Sequence, residues 1–279
     1  MSVLQRTLWP LQMLLVLSHL VSAGPVVGPG SKKLPIEGEV FRLNQHEAFL
    51  IRPPDHEGET IPWVWYAPTL RGLPSKHEVW MFERILAAGV AIAGIDVGES
   101  YGSPEGRASY QKFYRYLVDE QKLSERPCLL ARSRGGLMLY SWAVEHPEKV
   151  SGVAGIYPVC NIASYPGIAR AAPAYGMSAE DFEKVLAKHN PIDRLAPLAK
   201  AKVPIRHIHG DRDKVVPLEK NSGLLAERYR ALGGPVKIEI VKDGGHDLWE
   251  GWFQSEKLVE FIIAQAKLAT KDPLPGNGP

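Results

Sequence analysis

A serine between a strand-like run and a helix-like segment is the first residue of this sequence that could do chemistry. The apolar run 128–131 leads to Ser133, two glycines follow, and 137–145 reads as a helix. Small residues two positions before and after the serine, Ala131 and Gly135, permit a sharp turn between strand and helix. The turn would present the hydroxyl at the carboxyl end of a sheet, where the helix N-terminus favours developing negative charge. An ordinary helix N-cap serine is the alternative interpretation.

Two later stretches supply the groups that a serine nucleophile needs. Asp211 and Asp213 lie in an acid-rich turn after a short apolar run, and His246 follows the strand-like run 236–241. A serine hydroxyl is a poor nucleophile until a base removes its proton, and histidine can both take and return that proton. A carboxylate behind the histidine fixes its tautomer and stabilises the imidazolium. The pattern therefore predicts nucleophilic catalysis.

These stretches resemble three motifs of the α/β-hydrolase family. The segment 127–138 is similar to the nucleophile elbow G-x-S-x-G, with Ala131 in place of the first glycine. The segment 210–217 looks like G-x-x-D-x-x-V-P, and 243–247 looks like the loop that presents the catalytic histidine. The alternative acid, Asp211, is expected to bond its own backbone in the turn. The resemblance, including the order along the chain, implies a catalytic triad of Ser133, Asp213 and His246.

The resemblance also implies an oxyanion hole and a substrate pocket. In the family, the loop after the third strand gives a backbone N–H to the oxyanion hole, but the usual His-Gly pair is absent here. By position we expect the N–H of Thr69, with Leu70 as the alternative, and the N–H of Arg134. Pro68 has no N–H to give. The residues expected to touch the substrate are Leu70, Tyr101, Tyr165, Tyr175, Met177 and Trp249. Packing of the cap onto the sheet is the alternative role of Tyr165, Tyr175 and Met177. For Tyr101 the alternative is a turn held by its glycines, and for Trp249 it is packing under the last helix.

Arginines stand on both sides of the candidate nucleophile, at Arg132 and Arg134. A guanidinium near the elbow could bind a carboxylate or phosphate on the substrate. Pairing with Glu99, Asp96 or another structural acid is the favoured interpretation, because buried charges are usually paired.

The elements that must position these residues alternate between strands and helices. Segments 39–43 and 47–52 read as a hairpin and 61–67 as a third strand, while 90–95 and 150–157 are continuous apolar runs. Such runs suit strands buried on both faces of a parallel sheet. The resemblance implies the α/β-hydrolase fold, a mainly parallel twisted β-sheet flanked by helices, with a short cap insertion at about 161–203.

The N-terminal segment reads as a targeting signal. Arg6 supplies a positive charge, 8–21 is apolar with polar interruptions, and Val21-Ser22-Ala23 forms a small-residue cleavage site. We therefore expect a signal peptide at 1–23, a secreted or periplasmic protein and no membrane span in the mature chain. A linker at 24–36, a catalytic domain at 37–268 and a flexible tail at 269–279 complete the predicted organisation.

The composition indicates which kinds of binding partner to expect. The formal net charge of +2 over 279 residues is close to balance and favours neither nucleic acid nor a membrane surface. No Cys or His spacing matches a metal site, so no metal or other cofactor is expected. The sequence leaves the oligomeric state open.

The predicted function is an exported serine hydrolase, a carboxylesterase that cleaves small-molecule carboxylic esters through the triad and an acyl-enzyme. The short cap and the Gly-Gly-His loop look like the dienelactone-hydrolase or prolyl-oligopeptidase branches, so a peptidase is an enzymatic alternative. The lack of a propeller-sized segment argues against the peptidase. A non-catalytic binding protein on the same fold is the alternative of a different class.

Overall fold

The computed structural model describes residues 26–54 and 60–271, whose strands form one sheet. The sheet order is β1-β2-β3-β5-β4-β6-β7-β8-β9. The strands are β1 (Val27–Pro29), β2 (Glu39–Leu43), β3 (His46–Ile51), β4 (Trp63–Ala67), β5 (Ala91–Ile95), β6 (Cys128–Arg132), β7 (Gly152–Ile156), β8 (Ile205–Gly210) and β9 (Val236–Val241). The helices are α1 (Val79–Ala87), α2 (Pro104–Arg115), α3 (Gly135–Ala143), α4 (Ile168–Ala171), α5 (Ala179–Val185), α6 (Ala196–Lys200), α7 (Ser222–Ala231), α8 (Glu250–Phe253) and α9 (Glu256–Lys271).

The pairing confirms the predicted mainly parallel sheet. Strands β1, β2 and β3 pair antiparallel, and β3 also runs antiparallel to β5. Every pair from β5 through β4 to β9 is parallel. Since the carboxyl ends of parallel strands meet at one edge of a sheet, the loops after β4, β6, β7, β8 and β9 converge there.

Helices cover both faces of the sheet. On one face, Trp65 of β4 packs its ring against Tyr110 and Phe113 of α2 and Trp142 of α3, with centroid separations of 5.0, 5.6 and 4.8 Å. On the other face, Tyr66 meets Phe82 of α1 edge-on at 5.5 Å. The central strands can therefore be apolar along their whole length, which fixes the edge that carries the site.

The first strand lies inside the segment predicted as a linker. Val27–Pro29 pair with β2, and Asn44 N–H donates to the carbonyl of Val26 at 2.7 Å. The N–H groups of Ser31 and Lys32 donate to the Glu47 carboxylate at 2.8 and 3.1 Å. Backbone pairing needs no apolar alternation, so a stretch rich in Gly and Pro can join a sheet edge.

The cap and the C-terminal helix complete the described chain. Helices α4, α5 and α6 with short 3₁₀ turns fill the region between β7 and β8 where the cap was expected. Helix α9 continues to Lys271, three residues beyond the predicted end of the domain. The predicted signal peptide and the rest of the predicted tail lie outside the described residues. Among the described helices, none combines the length and apolar character needed to cross a bilayer.

Candidate active site

Ser133 lies in a tight turn between β6 and α3. Its φ of 49° is in the left-handed region, which side chains adopt at a cost of about 1–3 kcal/mol. The turn is held by Ser133 N–H to the Ile156 carbonyl at 3.0 Å and Val159 N–H to the Ser133 carbonyl at 2.8 Å. A Cβ on Gly135 would lie 2.1 Å from the Ala67 carbonyl oxygen, so only glycine fits there.

Ala131, the departure from the elbow motif, stands between small neighbours. It pairs with Ala67 of β4 on one side and with Gly155 of β7 on the other, and its side chain is buried. Because both neighbours are small, the Ala131 methyl group fits where the motif has a glycine. The substitution is compatible with the turn.

The three residues predicted as a triad come together. Ser133 Oγ lies 2.9 Å from His246 Nε2, and His246 Nδ1 lies 2.7 Å from Asp213 Oδ2. Because a carboxylate accepts, Nδ1 carries the proton and donates to Asp213, which leaves Nε2 to accept from the serine hydroxyl. Asp211, the alternative acid, is exposed and makes no hydrogen bond to His246. The geometry therefore favours Asp213.

Asp213 is a buried carboxylate with a dense set of donors. Its Oδ1 accepts the N–H groups of Val215 and Val216 at 2.9 and 2.7 Å. Burial raises the pKa of Asp213, but the hydrogen bonds from His209, His246 and the Val216 N–H outweigh it and hold the pKa well below its usual range. Asp213 is thus ionised at neutral pH.

Backbone contact joins the loops that carry Asp213 and His246. A Cβ on Gly210 would lie 2.1 Å from the carbonyl oxygen of Gly244, and Arg212 N–H donates to that same oxygen at 2.9 Å. The Arg212 guanidinium also pairs with the Asp243 carboxylate at 2.6 Å. The histidine loop is therefore positioned directly by the acid loop.

A buried hydrogen-bond chain behind Asp213 was not predicted from the sequence. His209 Nε2 lies 2.8 Å from the Val216 carbonyl and 3.4 Å from Asp213 Oδ2, and His209 Nδ1 lies 2.8 Å from Ser222 Oγ. His207 Nδ1 lies 2.9 Å from the same hydroxyl, and His207 Nε2 lies 2.7 Å from the Tyr140 hydroxyl. His207 and His209 sit two residues apart on β8, so they face the same side; that spacing was the available sequence signal.

The acceptors assign every proton in this chain. A carbonyl accepts, so His209 Nε2 carries the proton, and His209 Nδ1 accepts from the Ser222 hydroxyl. The Ser222 oxygen in turn accepts from His207 Nδ1. His207 Nε2 then accepts from the Tyr140 hydroxyl. Burial lowers the pKa of His207 to about 3, with the neighbouring His209 adding to the effect. His207 is therefore a neutral donor and acceptor, and His209 directs an N–H toward the acid.

Of the candidate oxyanion donors, Arg134 directly follows the serine and Leu70 lines the same cavity. Among the described residues, the backbone N–H groups of Thr69, Leu70 and Arg134 have no hydrogen-bond acceptor. Leu70 and Arg134 line the cavity at Ser133, whereas the Thr69 side chain is buried beneath and its Cγ2 fills the space that Gly94 leaves by lacking a Cβ. Thr69 and Leu70 both stay candidates for the second donor.

Only part of the predicted substrate pocket forms the cavity. The cavity has a volume of about 340 Å³. Of the six predicted residues, Leu70 alone is among its lining, which comprises Pro68, Leu70, Arg71, Leu73, Arg132, Ser133, Arg134, Tyr157, His246, Asp247 and Leu248. The cavity therefore opens between the loops after β4 and β9 and away from the cap.

The structure places the other predicted pocket residues elsewhere. Tyr101 and Tyr175 pack in an apolar cluster under the cap, where the Tyr175 hydroxyl donates to the Tyr101 carbonyl at 2.9 Å. Tyr165 packs against this cluster, and Met177 is exposed at the surface of the cap. Trp249 is 54% exposed, with its ring edge-on to Trp252. Tyr165 and Tyr175 thus pack in a cluster that includes Leu137 of α3, which is a packing role.

The two arginines that flank Ser133 both have acidic partners. Arg132 Nη1 donates to Glu78, whose carboxylate is fully buried and also accepts from the Tyr66 hydroxyl and from Ser75 N–H and Oγ, each at 2.8 Å. Arg134 pairs with Glu99, and that pair is about one third exposed on both sides. Arg134 is thus paired with an acid, as the favoured interpretation has it, and among the acids named there the partner is Glu99.

A comparison with known protein families identifies the family of this chain. The sequence model of the prolyl oligopeptidase family matches residues 108–267, which contain all three residues of the Ser-His-Asp cluster. The comparison with curated proteins gives no match.

Solved structures with the same fold include esterases and peptidases. Est1E from Butyrivibrio proteoclasticus superposes with a TM-score of 0.61 at 18% identity, covering 82% of this chain and 99% of its own. An S-formylglutathione hydrolase from Agrobacterium tumefaciens gives 0.62 at 15% identity, covering 88% and 95%. A puromycin-hydrolyzing peptidase from Mycobacterium tuberculosis gives 0.62 at 16% identity, covering 90% of this chain but 40% of its own. The match thus spans nearly all of the esterases and about two fifths of the peptidase.

Proposed function

Because the chain belongs to the prolyl oligopeptidase family of serine hydrolases, we propose that it is a carboxylesterase in which Ser133, His246 and Asp213 form the catalytic triad. The observation that carries the proposal is the unbroken hydrogen-bond path from Ser133 Oγ through both nitrogens of His246 to Asp213. A binding protein on the same fold would not need this path, so the geometry supports an enzyme.

The proposed reaction uses these groups in two steps. Ser133 Oγ attacks the ester carbonyl while His246 Nε2 takes the hydroxyl proton, and Asp213 stabilises the imidazolium that forms. The N–H groups of Arg134 and of Thr69 or Leu70 donate to the oxyanion of the tetrahedral intermediate. His246 then returns the proton to the leaving alcohol, and a water activated in the same way releases the acid from the acyl-enzyme.

The coverage of whole esterases favours ester over peptide substrates. A peptidase is the second candidate, and it is favoured by the family and by neighbours titled as peptidases. The two differ in leaving group: an amine must be protonated to depart, whereas an activated alcohol leaves readily.

The test compares p-nitrophenyl esters from acetate to decanoate with matched peptidyl p-nitroanilides. We expect turnover of the short esters, and we expect Ser133→Ala to reduce kcat on the order of 10⁶-fold because the nucleophile is gone. Ser178→Ala, which removes an exposed serine at the start of α5, is the matched control and should retain full activity. Preference for the anilides would select the peptidase, and activity that survives in Ser133→Ala would exclude the proposed nucleophile.

Export is a separate part of the proposal and rests on the N-terminal pattern of residues 1–23. Expression of the full chain in a bacterial host, followed by N-terminal sequencing of the periplasmic or secreted protein, tests it. A mature chain that begins at Gly24 is expected. An unprocessed chain that stays inside the cell would refute export and leave the catalytic proposal untouched.

A further inference from the structure

Three guanidinium groups line the cavity at Ser133. Arg71, Arg132 and Arg134 line it together with one carboxylate, Asp247, and the apolar side chains of the loops. A cavity that served only to hold a neutral apolar ester would not require arginines on its wall. Each arginine therefore needs an account of its charge.

Arg132 is held rigidly by a buried partner. Its side chain is 11% exposed, its Nη1 donates to the fully buried Glu78, and its guanidinium carbon lies 4.9 Å from the centre of the Phe253 ring. Burial raises the pKa of Tyr157 to about 12, and the nearby charge of Arg132 offsets part of that rise. A guanidinium has five N–H donors, so Arg132 has donors beyond the one that Glu78 accepts, and its side chain lines the cavity.

Arg71 brings a charge that no acid of the described residues neutralises. It lies in the turn after β4, is exposed, and has no ion pair or hydrogen bond to any described residue. Arg134 differs because Glu99 already pairs with it. The uncompensated cation of the cavity among the described residues is therefore Arg71.

Asp247 belongs to another part of the wall. It follows β9, whereas Arg71 follows β4 and Arg132 ends β6. Its Oδ1 is engaged by Trp252 Nε1 at 2.7 Å and by Trp249 N–H at 3.1 Å, so neutral donors hold it in place. The cavity thus has arginines from one pair of strands and an acid from a different loop, which gives a bound molecule a preferred direction.

We propose that Arg71 and Arg132 bind a carboxylate of the substrate, so that the hydrolysed ester is one that also bears an acid group. The proposal rests on the esterase function proposed above. Arg132 supplies preoriented donors at little entropic cost, because Glu78 has already fixed its side chain. Arg71 supplies the net charge that makes an anion preferable to a neutral group, and paired guanidinium donors suit the two oxygens of a carboxylate.

Paired substrates test this and locate the acid group. 4-Acetoxybenzoate against its methyl ester places the charge on the alcohol half. p-Nitrophenyl hydrogen glutarate against p-nitrophenyl pentanoate places it on the acyl half. In one of the two pairs we expect kcat/KM for the acid to exceed that of the neutral ester by about 10-fold or more, because hydrogen bonds to a charged group are stronger than those to a neutral one. Equal rates within both pairs would overturn the proposal.

Variants assign the effect to the arginines. Arg71→Gln should raise KM about 10-fold for the favoured acid and leave its neutral partner unchanged. Arg132→Lys keeps a cation beside Glu78 but loses the planar fork, so it should reduce the preference in a folded protein. Arg230→Gln removes an exposed arginine of α7 that does not line the cavity, and it should leave KM unchanged for both substrates. An equal rise of KM for both substrates in Arg71→Gln would contradict the assignment.

A binding measurement separates this proposal from the esterase function. Calorimetry with the Ser133→Ala protein measures the affinity for each acid and its neutral partner without turnover. If Ser133→Ala binds the acid in preference to its neutral partner but the wild-type protein hydrolyses none of the esters, the esterase function is refuted and the carboxylate site is retained. If the wild-type protein hydrolyses all four esters but Ser133→Ala binds neither acid in preference to its neutral partner, the carboxylate site is refuted and the esterase function is retained.

Discussion

The two sides of His246 are built in opposite ways. On the acid side, Asp213 is buried and its oxygens are engaged by Val215, Val216, His209 and His246. On the nucleophile side, Ser133 faces an open cavity of about 340 Å³ with charged walls. Hydrogen bonds therefore fix the acid that orients His246, whereas the cavity that meets the substrate keeps donors without a partner among the described residues.

The largest expected effect is on the acid side. Asp213→Asn should lower kcat for p-nitrophenyl acetate by about 10³–10⁴-fold, because an amide no longer stabilises the imidazolium and can select the wrong histidine tautomer. Asp211→Asn, an identical change two residues away at an exposed site, should keep kcat within about 2-fold, since surface substitutions remote from the site are usually near neutral. Equal losses in the two variants would mean that the acid side is not centred on Asp213.

The next effect compares the two arginine pairs on the nucleophile side. Glu78→Gln should reduce the free energy of unfolding by about 3–5 kcal/mol, because it leaves the buried Arg132 without its counter-charge. Glu99→Gln breaks the partly exposed pair of Arg134 and should cost about 0–1 kcal/mol. Urea titration of both variants measures this. Similar costs would show that burial does not distinguish the pairs.

The smallest effect concerns pH and the chain behind Asp213. The pKa of His207 is lowered from 6.5 to about 3 by burial, so between these values the unfolded chain binds a proton that the folded protein does not. Stability should therefore fall as pH decreases through this window, by up to about 1.4 kcal/mol per pH unit from His207 alone. His207→Gln can still accept from Tyr140 and donate to Ser222, and its urea midpoints at pH 7 and pH 5 should differ less than those of the wild type. An unchanged pH dependence would show that His207 is not the titrating group.

Much of the fold and of the central geometry was predictable because local patterns carry it. Each of Ser133, Asp213 and His246 follows a strand-like run, and parallel strands bring the residues after them to one edge. The alternation of strands and helices likewise predicts the mainly parallel sheet that the structure has. The choice between Asp213 and Asp211 came from the motif, and the distance to His246 agrees with it.

What could not be predicted depends on direction and on contacts between distant residues. Glu78 and Arg132 are 54 positions apart, and nothing in either neighbourhood indicates that they pair. Tyr101 and Tyr175 were expected near the substrate, but the cap is stabilised by burying them against each other and against α3. Thr69 and Leu70 are adjacent in sequence, yet only the backbone course decides which side chain meets the cavity.

The contact between Gly210 and Gly244 has a consequence for engineering. A Cβ on Gly210 would lie 2.1 Å from the Gly244 carbonyl oxygen, so any side chain there separates the loops of Asp213 and His246. Libraries that aim to change substrate choice should keep Gly210 and diversify the cavity wall, where Leu73 and Leu248 lie on separate loops. Along this sheet edge, positions a few residues apart differ sharply in how much variation a selection experiment could accept.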